Sequence, residues 1–272
     1  MNIRPNLLCF LFLTCFHTHL FSLDNLRTGD MRSLGLGGSE TVTSVLFNPS
    51  LAAWAEGARL EMNCFNRYSL KELCTLNAGG ILPGHFVSTG LHVASFGYDD
   101  YRESLFRWAT ARQLGKRWAL GVAVEYAMIQ TATDEEDRRS ALAADVGLSW
   151  YCSERLLLGL TIMNYPSADI GEKHSREKFT PGTVQAGAQW TMTEAVLVSG
   201  NIGYAEGQAL DCGIGLECTA FNDFHIRGGM KLSPPLPSFG IGYKYLRFGI
   251  DVAGVLHPLL GASSGMGVSY FF

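Results

Sequence analysis

Large apolar residues alternate with small or polar residues along most of this chain, and residues 118–129 show the pattern most clearly. The even positions of this segment are all large and apolar, from Trp118 to Met128, whereas the odd positions are small except for Glu125 and Ile129. Because successive side chains of a strand point to opposite faces, the segment predicts a β-strand with one apolar face and one small or polar face. A length of about ten residues suits a tilted strand that crosses a bilayer.

The same alternation recurs between residues 58 and 272, where we count about fourteen strands. Residues 104–113 give the weakest strand signal, because their spacing also suits a helix. A soluble β-sandwich or a lipocalin-like barrel would enclose its large side chains and expose its charges. Here nearly every strand sets the large class against glycine, alanine, serine, glutamine and charged residues, and a soluble core rarely encloses so many charges. We therefore predict an all-β fold, a transmembrane antiparallel up-and-down β-barrel formed by residues 58–272.

The predicted connections differ in length between the two ends of this barrel. The longer ones, residues 131–140, 166–180, 233–238 and 257–263, fall on the side assigned to the exterior. The tight ones lie near Gly84, Gly115, Ser153, Thr193 and Leu246. Outer-membrane barrels have the same asymmetry, although two exterior connections, near Lys71 and Gly207, are short here.

Residues 1–22 have the composition of a secretory signal peptide. Arg4 precedes a short apolar run at residues 7–16, and Ser22 provides a small residue near a plausible cleavage site. The apolar run is too short for a membrane-spanning helix. A lipoprotein signal at Cys15 is an alternative, although the three residues before it fit a lipidation site poorly. We expect export and, for a barrel of this kind, the outer membrane of a Gram-negative bacterium.

Composition and spacing argue against several classes of function. The formal net charge of −4 shows no basic footprint for nucleic acid. Five cysteines remain after the predicted signal peptide, and an odd number argues against a complete disulfide framework. We interpret these cysteines as small apolar side chains that face lipid. No Cys/His spacing indicates a metal site and no catalytic motif is recognisable, so we predict neither a cofactor nor an enzyme activity.

Residues 23–57 do not alternate and instead combine glycines with a short predicted helix. Gly35, Gly37 and Gly38 lie in the sequence RSLGLGG, and Asn48 precedes Pro49 at the predicted helix start. The segment is too small to fold alone and requires a surface to pack on. An ordinary flexible exported N-terminus is the alternative.

Two stretches of the chain resemble a known family. The sequences RSLGLGG (residues 32–38) and FNPSLA (residues 47–52) resemble the N-terminal motif of the FadL-like outer-membrane proteins. That superfamily includes long-chain fatty-acid transporters and the PorV/PorQ-type proteins of Bacteroidetes, which are tied to type IX secretion. The final strand, with Tyr270 and Phe272, resembles the aromatic-terminated assembly signal of outer-membrane barrels. The chain length is closer to that of the PorV/PorQ type.

The resemblance implies that residues 23–57 form a plug, or hatch, inside the barrel. Its expected residues are Arg32, Gly35, Gly37, Gly38, Asn48 and Pro49. Parity along the strands predicts charged residues that line the lumen, namely Glu125, Asp145, Asp211, Glu217, Arg227, Lys231, Lys244 and Asp251. We expect these charges to pair with each other and with the plug; a selective pore is the alternative. Gly90 and Gly97 could weaken the third strand enough for a lateral opening.

The same resemblance implies a barrel of the FadL type that lets small hydrophobic molecules pass passively across the outer membrane. The alternative is a docking barrel of a type IX secretion system, similar to PorV and PorQ, that does not transport. Expected partners are outer-membrane lipid and the barrel assembly machinery, together with either a small hydrophobic solute or secretion-system proteins.

Overall fold

The computed structural model describes residues 25–27, 29–132, 139–170, 181–221 and 223–272 of the 272-residue chain. The predicted signal peptide lies outside the described residues, and so do the central parts of the connections predicted at 131–140 and 166–180. Among the described residues, no helix is long and apolar enough to cross a bilayer.

Three short helices occupy the N-terminal part of the described chain. Helix α1 (Met31–Gly35) begins after Asp30, whose side chain caps the first turn. Helix α2 (Glu40–Thr43) follows, and the 3-10 helix η1 (Pro49–Trp54) begins after Asn48. The Asn48 side chain caps η1, and the fixed φ of proline suits the first position of a helix. The predicted helix at Asn48-Pro49 is therefore present.

Strands make up most of the remaining described chain, with one further 3-10 helix, η2 (Lys71–Leu73), between the first two. The strands are β1 (Arg59–Asn66), β2 (Cys74–Leu82), β3 (Ser88–Tyr98), β4 (Tyr101–Leu114), β5 (Trp118–Thr131), β6 (Arg139–Ser153), β7 (Leu156–Met163), β8 (Ser167–Ile170), β9 (Thr183–Thr191), β10 (Val196–Ala205), β11 (Asp211–Ala220), β12 (Phe224–Leu232), β13 (Pro235–Tyr245), β14 (Phe248–His257) and β15 (Gly261–Phe271).

These strands form one closed antiparallel barrel. Consecutive strands pair with each other except at β8, where β7 pairs with β9 instead, and β15 pairs with β1 to close the wall. Strands β7 and β8 both pair with β6, so they occupy one position in the wall, separated by an irregular stretch at residues 164–166. The wall therefore has fourteen positions, which confirms the predicted barrel. Asn164 in the irregular stretch has a φ of 58°, a left-handed conformation that asparagine tolerates better than most residues.

Side chains alternate between the two faces of the wall as the sequence predicts. On β5, Leu120 and Val124 are 40% and 50% exposed on the outside, whereas Ala123 and Glu125 are each 2% exposed on the inside. The same contrast recurs along the other strands, so large apolar side chains cover the outer surface. A continuous apolar surface of this kind suits lipid contact rather than water.

Residues 104–113, the segment with the weakest strand signal, lie within the regular strand β4. Phe106 and Trp108 point outwards, while Leu105, Arg107 and Ala109 point into the barrel and are at most 3% exposed. The signal is weak because the inner face holds an apolar Leu105 beside a charged Arg107. A strand that mixes both classes on one face loses the clear alternation.

The two ends of the barrel differ. The loop end carries the connection with η2, the end of β5 and the start of β6. The turn end carries the tight connections predicted near Gly115, Ser153 and Leu246, together with the start of β1 and the end of β15.

Candidate functional site

The N-terminal segment, residues 25–57, lies against the inner face of the barrel. Helix α1 contacts β12–β15, α2 contacts β7, β9 and β10, and η1 contacts β3–β6. Leu26, Leu36, Asn48 and Ala52 are completely buried, although they belong to helices or turns too short to bury themselves. The segment therefore obtains its burial from the lumen wall.

Glycines on the wall let the backbone of this segment approach closely. A Cβ atom at Gly213 would lie 2.1 Å from the Gly37 carbonyl oxygen, and one at Gly215 would lie 2.4 Å from that of Leu36. At Gly229 it would lie 2.2 Å from the Gly37 nitrogen. Real Cβ atoms do not approach backbone so closely, so each of these contacts requires glycine.

The predicted Asn48-Pro49 element uses the same type of contact on the other side of the lumen. A Cβ atom at Gly121 would lie 2.4 Å from the carbonyl carbon of Pro49. One at Gly147 would lie 2.2 Å from Asn48 Oδ1. That oxygen accepts hydrogen bonds from the Ser50 nitrogen and hydroxyl, at 3.1 and 2.6 Å. The side chain that begins η1 thus also rests on the wall.

A first ion cluster joins the start of the segment to β4, β5 and β6. Arg107 Nε lies 2.7 Å from Glu125 Oε1, and Arg107 Nη2 lies 3.0 Å from Asp145 Oδ2. Arg27 of the segment pairs with Glu125 and donates to Asn164 Oδ1 at 2.8 Å. All four charged side chains are at most 8% exposed. Two cations and two anions balance in a space that excludes water, as buried charges require.

A second ion cluster holds α1 to β11, β12 and β14. Arg32 binds Glu217 with two parallel hydrogen bonds of 2.9 and 2.8 Å. Arg227 Nε also donates to Glu217 at 2.6 Å, and Arg227 Nη1 donates to Asp251 Oδ1. Paired guanidinium and carboxylate groups fix relative orientation as well as distance. The two clusters thus attach the segment to the wall at two separate places.

The structure places the other predicted residues as follows. Lys231 pairs with Asp211 at 3.0 Å, and Lys244 Nζ lies 4.4 Å from the centre of the Phe271 ring at the turn end. Gly35 and Gly38 belong to the segment, where a Cβ atom would lie 3.2 Å from Gly240 Cα and 2.7 Å from Lys231 Cε respectively.

Arg107 and Glu103 also point into the lumen, although neither is among the predicted lumen-lining charges. Arg107 is the centre of the first cluster, and Glu103 accepts hydrogen bonds from the Asn25 side chain and the Tyr101 hydroxyl, at 3.0 and 2.8 Å. The outward positions of Phe106 and Trp108 could have revealed them, once β4 was accepted as a strand. Arg27 gives no signal of this kind, because its segment has no strand period.

Two other sets of predicted residues have a defined place but an untested role. Strand β3 pairs with both neighbours at Gly90, so the wall is closed there. Gly97 has a φ of +109°, and a Cβ atom would lie 2.1 Å from the Tyr101 carbonyl oxygen, so the β3–β4 turn requires this glycine.

The rings of Tyr270 and Phe272 pack edge-to-face at the turn end, with ring centres 4.9 Å apart. Lateral opening and assembly recognition remain predictions.

Helix α1 separates two cavities. The loop-end cavity, about 190 Å³, has an apolar part formed by Leu34, Phe65, Leu236 and Val255, and its rim also carries charged and polar side chains (Arg27, Glu40, Arg67, Lys231 and His257). The turn-end cavity, about 320 Å³, is lined by charged residues such as Asp30, Arg32, Arg59, Glu61 and Asp251. In the described residues, no three His, Cys, Asp or Glu side chains are placed to hold a metal ion. The candidate site therefore consists of two internal cavities, and the turn-end cavity has the more highly charged lining.

Comparisons with known proteins identify the fold. No protein-family model and no curated protein matches the chain. Among solved structures, the CymD monoaromatic hydrocarbon channel matches with a TM-score of 0.65 at 11% identity, covering 93% of this chain and 99% of that one. The P. putida toluene transporter TodX matches with a TM-score of 0.65 at 11% identity, covering 88% and 97%. The chain therefore has the same fold as these two proteins.

A FadL homologue of Pseudomonas aeruginosa is also similar, with a TM-score of 0.61 at 11% identity, covering 89% of this chain and 98% of that one. These neighbours are described as channels, transporters or FadL homologues, and at such low identity they establish the fold alone. These structural neighbours do not support the similarity to PorV/PorQ-type proteins that the chain length suggested.

Proposed function

We propose that this protein is an outer-membrane barrel through which small hydrophobic molecules pass. The observation that carries the proposal is a loop-end cavity with an apolar part at Leu34, Phe65, Leu236 and Val255, inside a barrel whose outer surface suits lipid. The structural neighbours described as hydrocarbon channels and a toluene transporter support the same class of solute. A role as a secretion docking barrel has no corresponding observation in its favour.

The size of the loop-end cavity supports a small solute. Its volume is about 190 Å³, and Phe65, Leu236 and Val255 contribute apolar walls. An apolar cavity of about 150 Å³ is large enough to hold benzene. We therefore infer that a molecule with a single aromatic ring, or an aliphatic molecule of similar size, is the solute class that fits best.

A straight path through the barrel is unfavourable for such a solute. Helix α1 lies between the two cavities, and Arg32 ties it to Glu217 on the wall. Beyond it, the turn-end cavity is lined mostly by charged and polar residues, and its apolar wall is limited to a few residues such as Met31, Val268 and Phe271. Because charged walls hold water strongly, an apolar molecule gains little by entering there.

The opening predicted in β3 offers a sideways exit from the turn-end side of α1, which leads directly into lipid instead of through the charged turn end. A small cavity of about 30 Å³ lies between the N-terminal segment and the wall near Gly90. Its apolar lining includes Val45, Leu46 and Ile81, and it shares Arg59 and Glu61 with the turn-end cavity. Glycine weakens a strand because it contributes no side chain to packing. We propose that β2 and β3 separate near Gly90 and release the solute into the bilayer.

Uptake of radiolabelled toluene by Gram-negative host cells tests this function. Cells that carry the protein in the outer membrane should take up toluene faster than cells with an empty vector. Gly90→Phe should reduce uptake to the vector level, because the ring would fill the small cavity beside Val45. Gly90→Ala is the matched control, since its methyl group would meet no atom closer than 3.7 Å.

Both variants must first show a folded barrel by circular dichroism of the purified protein. Uptake by wild-type cells that does not exceed the vector rate would refute the proposed function. Normal uptake by Gly90→Phe cells would refute only the sideways path.

A further inference from the structure

Two cysteines face each other on the outer surface of the barrel. Cys64 lies on β1 and Cys74 is the first residue of β2, and their sulfur atoms are 3.5 Å apart. Both are free thiols, as are Cys152, Cys212 and Cys218 among the described residues. The other three cysteines have no sulfur contact of this kind within the described residues. The Cys64–Cys74 contact is therefore a specific feature of this strand pair.

The strand register explains this contact. Cys64 lies opposite Leu76, and Cys74 lies opposite Asn66, so the two cysteines occupy diagonal positions on the same face. The twist of neighbouring strands brings diagonal side chains within reach of each other. Because a disulfide bond is about 2.05 Å long, the sulfur atoms need to approach by only about 1.5 Å. Side-chain rotation on two paired strands can supply a movement of this size.

The position of the pair makes it accessible to soluble reagents. Cys74 directly follows η2, whose Lys71 and Glu72 side chains are exposed at the loop end. Cys64 is itself exposed on the outer surface. The thiols therefore lie where the apolar belt meets the aqueous phase, rather than at the centre of the belt.

We propose that Cys64 and Cys74 form a disulfide bond when the protein meets a disulfide oxidant. One thiolate attacks a sulfur of a small disulfide RSSR, which gives a mixed disulfide and one RSH. The second thiolate then attacks the protein sulfur of this mixed disulfide, forms the Cys64–Cys74 bond and expels the second RSH. The protein loses two hydrogen atoms and RSSR is reduced to two RSH molecules, so atoms and electrons balance.

The bond would close residues 65–73 into a covalent loop beside the loop-end cavity. Arg67 and Tyr68 of this loop line that cavity. Arg67 also donates hydrogen bonds to Thr75 Oγ1 at 2.9 Å and to the Asn25 carbonyl oxygen at 3.3 Å. The disulfide would therefore hold the part of the wall that contacts the start of the N-terminal segment.

Peptide mapping of the full-length protein tests the proposal. The folded protein in detergent is incubated with oxidised glutathione, denatured in excess N-ethylmaleimide so that every remaining thiol is alkylated, and then digested. We expect a linked peptide pair that contains Cys64 and Cys74 and lacks two hydrogen atoms, while Cys152, Cys212 and Cys218 carry the alkyl group. Cys64→Ser should abolish the linked peptide, and the matched control Cys212→Ser should retain it.

Alkylation of Cys64 and Cys74 to the same extent as Cys212 would overturn the proposal. Separate glutathione adducts on the two residues, or a link from either one to another cysteine, would also overturn it. Because the reagents reach every free thiol in the denatured chain, the result does not depend on transport activity or on the membrane in which the protein resides.

Discussion

Replacing Gly229 by alanine should destabilise the attachment of the N-terminal segment. The new methyl carbon would lie 2.2 Å from the Gly37 nitrogen, 2.5 Å from the Leu36 carbonyl carbon and 2.8 Å from Gly37 Cα. All three are backbone atoms, which cannot rotate away as a side chain can. Gly37 is also packed against β11, where its own Cβ position lies 2.4 Å from the Ile214 carbonyl oxygen. The turn therefore has no space into which it could withdraw.

Two responses to this methyl group are available, and both have a similar cost. If the turn stays, overpacking of the contact costs about 1–3 kcal/mol. If the turn leaves, the protein loses the bond from the Gly37 nitrogen to Ser238 Oγ at 3.1 Å and the bond from Ser238 Oγ to the Gly35 carbonyl oxygen at 3.3 Å. Each such bond contributes about 1 kcal/mol. We therefore expect the free energy of unfolding to fall by about 2 kcal/mol.

Gly228→Ala provides a matched control on the neighbouring residue of β12. No heavy atom lies within 4 Å of a Cβ atom at Gly228, so the same chemical change meets only the outer surface. The assay is urea-induced unfolding in detergent, followed by tryptophan fluorescence. If Gly229→Ala is as stable as Gly228→Ala to within about 0.5 kcal/mol, the packing of this turn is not rigid and the reasoning fails.

Three further predictions concern the lipid face, the first ion cluster and the helix cap. The same unfolding assay measures the last two, and the first requires the assay with the protein in phospholipid bilayers. Val124→Arg should cost about 2–4 kcal/mol in a bilayer, because the residue faces outwards near the middle of β5. The control Val124→Leu should be nearly neutral. Equal stability of the two variants would contradict the assignment of this face to lipid. Arg107→Gln should cost about 3–5 kcal/mol, since Glu125 and Asp145 lose a buried partner, and a wild-type midpoint would show that the cluster is dispensable. Asn48→Ala should cost about 1 kcal/mol through the lost cap, and an unchanged unfolding midpoint would contradict this role of the side chain.

Alternation along the chain was sufficient to predict the barrel and the direction of its side chains. The residues of β5 show why: each side chain needs only its two neighbours in sequence to define which face it belongs to. A strand in lipid must also satisfy its backbone hydrogen bonds with other strands, so many such segments in one chain imply a closed wall. The motif around Asn48 and Pro49 likewise predicts a helix start from local geometry alone.

The pairing of charges was decided only by the tertiary structure. Parity placed Glu125 and Asp145 in the lumen, but it could not show that Arg107 lies between them or that Arg27 completes the cluster. These partners come from different strands and from a segment without a strand period. Their distances depend on the register of the strands and on the path of the N-terminal segment across the wall, neither of which is a local property of the sequence.

The close contacts on glycine and the pair of thiols have the same origin. Gly228 and Gly229 are identical neighbours in the sequence, yet only Gly229 contacts the backbone of Gly37. Cys64 and Cys74 meet because Asn66 lies opposite Cys74 in the β1–β2 register. The sequence by itself therefore determined which face each residue occupies, because that face follows from the two-residue period of a strand. Only the tertiary structure decided which residues meet across the lumen or between strands, because those distances follow from register and closure of the whole barrel.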